Sequence, residues 1–440
     1  MKFVWGALLL SSAALAAQEP LSFDQALAAA KARHQPVFVD FHAPWCHSCF
    51  FMEKNVMNGA DWDTVKLHAV IADVDADAGE GAAIAQQFKV AGYPTYIVLD
   101  ESGVELGRIL GDRTRMQFYA ELQPLLDRGA TLERWQARVI DDGSDSLAAA
   151  RIVFNAYEQR MDAEHGLLWL ASLPAPLQKA VAVDAVAGAR INELKLLRAN
   201  QQHDAAQCEA VAPAVIGGAL DCDNVGFVSE LRECIDPLPA EQKRAQLAPI
   251  VPRMAALQKQ ILVEHKGACS DTRGVVDPAA DLYDALDDKT AYRQVFEQGI
   301  AYSERGLKAG KGIDYRRDHY LADNLRYYLE RLEDNARLDH VYPKLIAAYP
   351  EPYDYYYRYG KNLAKRGEYA RALPLLEQAA PRSYGRNRLW VAQWRAYTLL
   401  QLKRNDDANV VASEAMQANG PWFPDDIARL KGVLAGDKPK

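Results

Sequence analysis

Residues 37–49 read Val37-Phe38-Val39-Asp40-Phe41-His42-Ala43-Pro44-Trp45-Cys46-His47-Ser48-Cys49, and the rest of the chain takes its meaning from them. The run from Pro36 to Phe41 is short, apolar and rich in β-branched residues, which reads as a buried strand. Cys46 then opens a helical stretch to about Met57, so a C-x-x-C stands where strand gives way to helix. At a helix start the first sulfur faces unsatisfied N–H groups and the positive end of the dipole. Its thiolate is favoured, with a pKa below the free value of about 8.5. The second sulfur lies one turn in, placed to resolve a mixed disulfide formed on the first. Cys46 and Cys49 are therefore the candidate catalytic and redox-active pair. A C-x-x-C is also half a zinc site, but that needs a second pair. The other cysteines, 208, 222, 234 and 269, contain no close pair, and no H-x-x-x-H lies near, so neither metal nor cofactor is expected.

Working outward, Ser22 and Gln25 form a capping-box pattern for a helix over 22–33. Downstream, 65–74 reads as a strand and 82–88 as a helix. Strands at 96–99 and 104–110 flank a turn at Glu101-Ser102-Gly103, and a helix spans 115–126. The alternating front half implies parallel pairing and the tight turn an antiparallel hairpin.

With these elements in register, residues 22–128 resemble the thioredoxin superfamily. The acid six residues before the first Cys, the Trp directly before it and the later Gly92-Tyr93-Pro94-Thr95 all fit its pattern. The stretch from Ala72 to Pro94 is most similar to the periplasmic C-terminal domain of DsbD-type thiol:disulfide interchange proteins. The resemblance implies that Cys46 attacks and Cys49 resolves, and that Asp40 is a buried carboxylate beneath Cys49 that helps take its proton. It implies that Pro94 is cis and presents the Tyr93 backbone to an extended client, with Trp45, Tyr93 and Phe50 as an apolar rim. Phe50 departs from the family, which commonly has Lys there, and His47-Ser48 is neither Gly-Pro nor Pro-His. A charged His47 would favour the thiolate, whereas the helix N-terminus disfavours that cation; a solvated loop residue is the plain alternative.

The chain has 440 residues, 51 Lys+Arg against 59 Asp+Glu, and 49% hydrophobic residues, which predicts several globular domains rather than disorder. A net charge of −8 argues against nucleic acid, which wants a basic face. Lys2, the apolar run Phe3–Ala17 and Ala14-Leu15-Ala16 read as a signal peptide, 1–17, with an uncleaved anchor as the alternative. Export places the chain in an oxidising compartment, the periplasm first of all. There Cys208, Cys222, Cys234 and Cys269 are expected to form two structural disulfides. Three pairings are open, of which Cys208–Cys222 with Cys234–Cys269 is the most local; a second redox pair relaying electrons to Cys46–Cys49 is the sharper alternative.

After about residue 130 strand-like runs become rare and helical stretches dominate, at 147–173, 177–197, 241–263, 279–307 and 320–332. Gly360, Ala372 and Ala379 have the small-residue spacing of a 34-residue tetratricopeptide unit, and Ala396, Ala408 and Ala415 repeat it. Two repeats, 353–386 and 389–422, follow a degenerate one; an ordinary helix bundle is the alternative. The late tyrosines, Tyr353 to Tyr359, read either as a peptide-binding face or as helix packing.

The sequence thus predicts an α/β thioredoxin fold (18–128), a helical linker or cap (129–318) and tetratricopeptide-like helical repeats (319–436). The expected function is a periplasmic thiol–disulfide oxidoreductase, tilted toward reduction or interchange. Its expected partners are protein or peptide disulfides, an external electron donor or acceptor, and a protein bound by the repeats. The rival classes are a non-enzymatic adaptor, whose N-terminal domain only binds peptides, and a copper chaperone using Cys46 and Cys49 with Met52, His42 or His47.

Overall fold

The structure, a computed structural model, describes residues 21–439 apart from 142, 144, 268 and 421. The expected signal peptide lies outside the described residues. The N-terminal domain runs α1 (Phe23–Arg33), β1 (Val37–His42), α2 (His47–Asn55), α3 (Gly59–His68), β2 (Val70–Asp75), α4 (Gly79–Gln87), β3 (Thr95–Leu99), β4 (Glu105–Leu110) and α5 (Arg115–Arg128). Its sheet has the order β2-β1-β3-β4, with β1 parallel to β2 and antiparallel to β3, and β3 antiparallel to β4. The stretch 65–74 contains the expected strand, which starts at Val70, whereas Val65 belongs to α3. Short apolar runs do not separate helix from strand by period alone.

Alternation along β1 explains the layering. Val37, Val39 and Phe41 pack with Phe23, Ala26 and Ala30 of α1 and Ala85 of α4. Phe38 faces the other way, with Tyr96, Val98, Met52 of α2 and Phe118 of α5. Both faces are covered, so β1 is apolar apart from Asp40 and His42. Asp40 is its one acid, and by period two it shares the α2 side with Phe38.

The remainder is helical apart from a short antiparallel strand pair, Lys308–Ala309 with Gly312–Ile313. A first group comprises α6 (Leu132–Asp141), α7 (Ser146–Gln159), α8 (Ala163–Ser172), α9 (Ala175–Val183) and α10 (Ala185–Gln201), around Phe154 and Leu194. Its α7 covers the β4 edge, where Gln159 accepts the Leu110 N–H at 2.7 Å and Arg160 pairs with Glu105 at 2.6 Å. Next come α11 (Ala205–Ile216), α12 (Phe227–Cys234), α13 (Ala240–Leu247), α14 (Val251–Gln258), α15 (Arg273–Ala285) and α16 (Lys289–Leu307). The last are α17 (His319–Arg331), α18 (Asn335–Ala348), α19 (Asp354–Lys365), α20 (Tyr369–Ala379), α21 (Gly385–Gln401), α22 (Asn405–Asn419) and α23 (Pro424–Leu434).

The small residues sit where the repeat spacing needs them. In the pair α19–α20, a Cβ on Gly360 would lie 2.7 Å from Leu376 Cγ, and Ala372 and Ala379 are wholly buried. In the pair α21–α22, Ala396, Ala408 and Ala415 are buried likewise, and α23 caps the end through Leu430 and Val433. Tyr353, Tyr355, Tyr356, Tyr357 and Tyr359 are all buried, so they are packing rather than an open peptide face.

The most local disulfide pairing is also corrected. The bonds are Cys208–Cys234 and Cys222–Cys269. Cys208 near the start of α11 meets Cys234 at the end of α12, as an antiparallel hairpin demands. Cys222 lies in the connection between those helices, out of reach of Cys208, and instead ties down the segment before α15.

Candidate functional site

Cys46 is the N-cap residue of α2, with extended backbone (φ −80°, ψ 103°), and its sulfur accepts the Cys49 N–H at 3.1 Å. That is the environment that stabilises a thiolate at a helix start. The two sulfurs form a disulfide with Cα atoms 5.2 Å apart. The Tyr93–Pro94 peptide is cis.

Asp40 and Cys49 line one cavity of about 500 Å³, together with Phe50, Glu53, His42 and Asp73. Asp40 Oδ1 is enclosed without a hydrogen-bond partner. Burial pushes its pKa up to about 7; His42 pulls it down, while Asp73 and Glu53 add to the rise. Burial works against the His42 cation, but the Asp73 carboxylate on its Nε2 outweighs that and lifts its pKa to about 9.

The two halves of the disulfide differ in access: Cys49 is half-buried and lines the cavity, whereas Cys46 is only 3% exposed. The residues on either side of Cys46 are held by the helical region. Trp45 donates to Asp77 at 2.9 Å and packs between Tyr93 and Trp390, with ring centroids 6.2 and 6.0 Å away. Asn387 also reaches Asp77, whose carbonyl takes the Arg386 N–H at 2.9 Å. Burial and Asp75 raise the Asp77 pKa to about 6, against Asn387, Trp45 and Arg386. Phe50 stacks on His319 at 3.8 Å, and Phe51 meets Tyr320 edge-on at 5.1 Å, so α17 lies across α2. The Cys-x-x-Cys dipeptide is gripped as well. His47 Nε2 is 3.0 Å from Asp271, and Ser48 Oγ donates to the same carboxylate at 3.5 Å. Asp271 is buried, which pushes its pKa up, but His47 and Arg273 outweigh burial and hold it below the ordinary range.

Residues quoted from the sequence thus gather at one place: Asp40, Trp45, Cys46, Cys49, Tyr93 and Pro94. Sequence reasoning missed Asp77, Asp271, His319, Asn387 and Trp390. The last four lie more than 200 positions from Cys46, and no period or motif marks them. The candidate copper ligands are engaged elsewhere. His42 holds Asp73, His47 holds Asp271, and the buried Met52 sulfur accepts the Arg113 N–H. Among the described residues no cluster of three or more His, Cys, Asp or Glu is arranged to hold a metal ion.

The description "Thioredoxin-like" belongs to the family model that residues 17–101 match. The N-terminal domain is thioredoxin-like. It is similar to the "Thiol:disulfide interchange protein DsbD 2" of Pseudomonas aeruginosa, 34% identical over 121 residues, 26% of this chain and 20% of that protein. A DsbD of Ralstonia nicotianae is 34% identical over 106 residues, 23% of this chain and 17% of its own. The chain therefore spans about a fifth of the length of these curated relatives. A solved tetratricopeptide repeat protein of Parabacteroides merdae aligns with 69% of this chain and 100% of its own, at 11% identity and TM-score 0.39. The disulfide-capable Cys46/Cys49 pair of the thioredoxin-like domain and its likeness to the DsbD sequences support thiol–disulfide redox chemistry. Among the described residues no helix is long and apolar enough to cross a membrane.

Proposed function

We propose that this chain is a periplasmic protein-disulfide oxidoreductase, exported by residues 1–17, whose helical region controls access to the redox site and binds a client or partner. The observation that carries the reading is Cys46 at the N-cap of α2, with the Cys49 N–H on its sulfur. In the reducing direction the Cys46 thiolate attacks one sulfur of a client disulfide. The client bond breaks, its other sulfur leaves as a thiolate, and a mixed disulfide forms. Cys49 passes its proton to Asp40, whose pKa of about 7 suits that transfer near neutral pH. The Cys49 thiolate then attacks Cys46, the client sulfur leaves, and Cys46–Cys49 ends oxidised. Two electrons have moved to the client, and an external dithiol restores the couple. Trp45, Tyr93 and Pro94 form the client-facing rim, and residues 18–128 carry the chemistry. Residues 129–318 serve as linker and cap, and residues 319–436 as the recruiting repeats.

The test is turnover of a model protein disulfide by wild type and by Cys46→Ser. Wild type turns over and the variant does not. The burial of Cys46, with Trp390 packed on Trp45 beside it, favours a second reading, an adaptor whose thioredoxin-like domain only docks the helices. Equal, negligible turnover by both proteins establishes the adaptor and removes the enzyme.

A further inference from the structure

The two disulfides outside the thioredoxin-like domain differ in kind. Cys208 and Cys234 are wholly buried in the helical core. Cys222 is exposed and Cys269 half-buried. Both flanks of this second bond touch the thioredoxin-like domain. Next to Cys222, Asp223 accepts from Gln117 of α5 at 3.1 Å. Beyond Cys269, Ser270 hydrogen-bonds Asp112, and Asp271 holds His47 and Ser48, the two residues between Cys46 and Cys49. Cys269 is thus two residues from the carboxylate that holds the Cys-x-x-Cys dipeptide.

We propose that Cys222–Cys269 is a second redox couple, an internal disulfide that exchanges electrons with Cys46–Cys49. The proposal rests on the redox reading of Cys46–Cys49. The steps balance within the molecule once a dithiol has reduced that first pair. The Cys46 thiolate attacks Cys269 Sγ; the Cys46–Cys269 bond forms, the Cys222–Cys269 bond breaks, and Cys222 leaves as a thiolate. The Cys49 thiolate then attacks Cys46 and releases Cys269 as a thiolate. Cys46–Cys49 is oxidised, Cys222 and Cys269 are reduced, and both new thiolates take protons from water. The geometry selects which sulfur is attacked. Cys269 is on the chain segment that grips the Cys-x-x-Cys dipeptide, whereas Cys222 is exposed, so the leaving thiolate is solvated. Exposed disulfides are the exchangeable class, and buried ones such as Cys208–Cys234 the inert class. The exchange needs a shift of the segment before α15, which lies outside regular structure at 264–267 and 269–272.

The test uses the full oxidised chain. One equivalent of dithiothreitol is added, free thiols are alkylated at intervals, and cysteine peptides are mapped by mass. In wild type, alkylated Cys222 and Cys269 appear together with Cys46 and Cys49. In Cys46→Ser/Cys49→Ser, opening of Cys222–Cys269 slows at least about tenfold, the ratio corresponding to 1.4 kcal/mol. In Cys49→Ser, with no reductant added, the single free thiol moves from Cys46 to Cys222 as a Cys46–Cys269 bond forms. Opening of Cys222–Cys269 at equal rates in wild type and the double variant overturns the relay. So does a Cys222–Cys269 bond that stays closed in wild type. Turnover of a model protein disulfide by the same wild-type preparation is the separate readout. Its failure removes the proposed function, whereas turnover with Cys222–Cys269 unchanged removes only the relay.

Discussion

Two buried carboxylates, one in each half of the molecule, have opposite fates. Asp40 in the thioredoxin-like sheet has an enclosed oxygen without a partner, and burial lifts its pKa to about 7. Asp323 in α17 is at least as buried, yet it holds Arg326 at 2.8 Å and Arg273 at 2.5 Å. Burial works against its charge, but the two guanidinium groups outweigh it and keep the carboxyl well below the ordinary range. Burial alone makes a group that can change protonation near neutral pH; burial with full pairing makes a permanent anion that ties elements together. Asp323 uses the second device, and Asp40 the first.

The sharpest way to break the comparison is to unpair the helical carboxylate. Asp323→Ala leaves Arg326 and Arg273 as buried cations and is expected to cost about 3–5 kcal/mol. Urea denaturation reads the loss as a lower midpoint. If the cost is below about 1 kcal/mol, Asp323 is no staple and the contrast with Asp40 disappears. The buried disulfide makes the same point with sulfur. Replacing Cys208 and Cys234 by Ser releases a bond with a sequence separation of 26, with an expected loss of about 3 kcal/mol in the same assay.

Asp40→Asn tests the other arm. The expected effect on the resolving step is about 10²-fold, the lower end for general acid–base catalysis. The wild-type rate rises with pH through about 7 as Asp40 becomes able to accept the Cys49 proton, and the Asn variant lacks that inflection. Stability moves the opposite way. The folded pKa is raised above the unfolded value of about 3.8, so the stability from the protonated carboxyl is complete below that value and is lost as pH rises through about 7. Asp40→Asn is therefore more stable than wild type at pH 8, with no such advantage at pH 3. Denaturation at the two pH values checks the sign.

What the sequence made legible follows the range of the forces involved. The capping box at Ser22 and Gln25, the apolar run of β1 and the small residues at 360, 372 and 379 are local signals, and each appears where the chain places it. Helix α3 was lost because Asn58 gives no side-chain cap and its apolar residues run straight into β2. The disulfide pairing was lost because sequence distance does not say which face of a hairpin a cysteine occupies. In the redox site, Asp40, Trp45, Cys46, Cys49, Tyr93 and Pro94 could be quoted from the sequence, whereas Asp77, which holds Trp45, could not. The cover could not: Asp271, His319, Asn387 and Trp390 meet His47, Phe50, Asp77 and Trp45 only because the helical stack folds back over α2, and that path is a property of many weak packing choices.

The smallest expected effect tests the seam where the two regions meet. Trp390 lies against Trp45 at 6.0 Å and donates to Asp426 at 3.0 Å. An aromatic pair of this kind contributes about 0.5–1.5 kcal/mol beyond its buried area. If the covered and uncovered forms interconvert faster than exchange, Trp390→Ala raises the uncovered population by about 2–10-fold, since 1.4 kcal/mol is a factor of ten. The rate at which an external dithiol reduces Cys46–Cys49 rises by the same factor, measured by alkylation and mass. Trp390→Phe removes the hydrogen bond to Asp426 but keeps a ring against Trp45, so it stays close to the wild-type rate. Acceleration in both variants assigns control to the Asp426 bond and the α21–α23 packing. Acceleration in neither means that Phe50 on His319 and Asp271 on His47 hold the cover by themselves, and the aromatic seam is a consequence of closure rather than its cause.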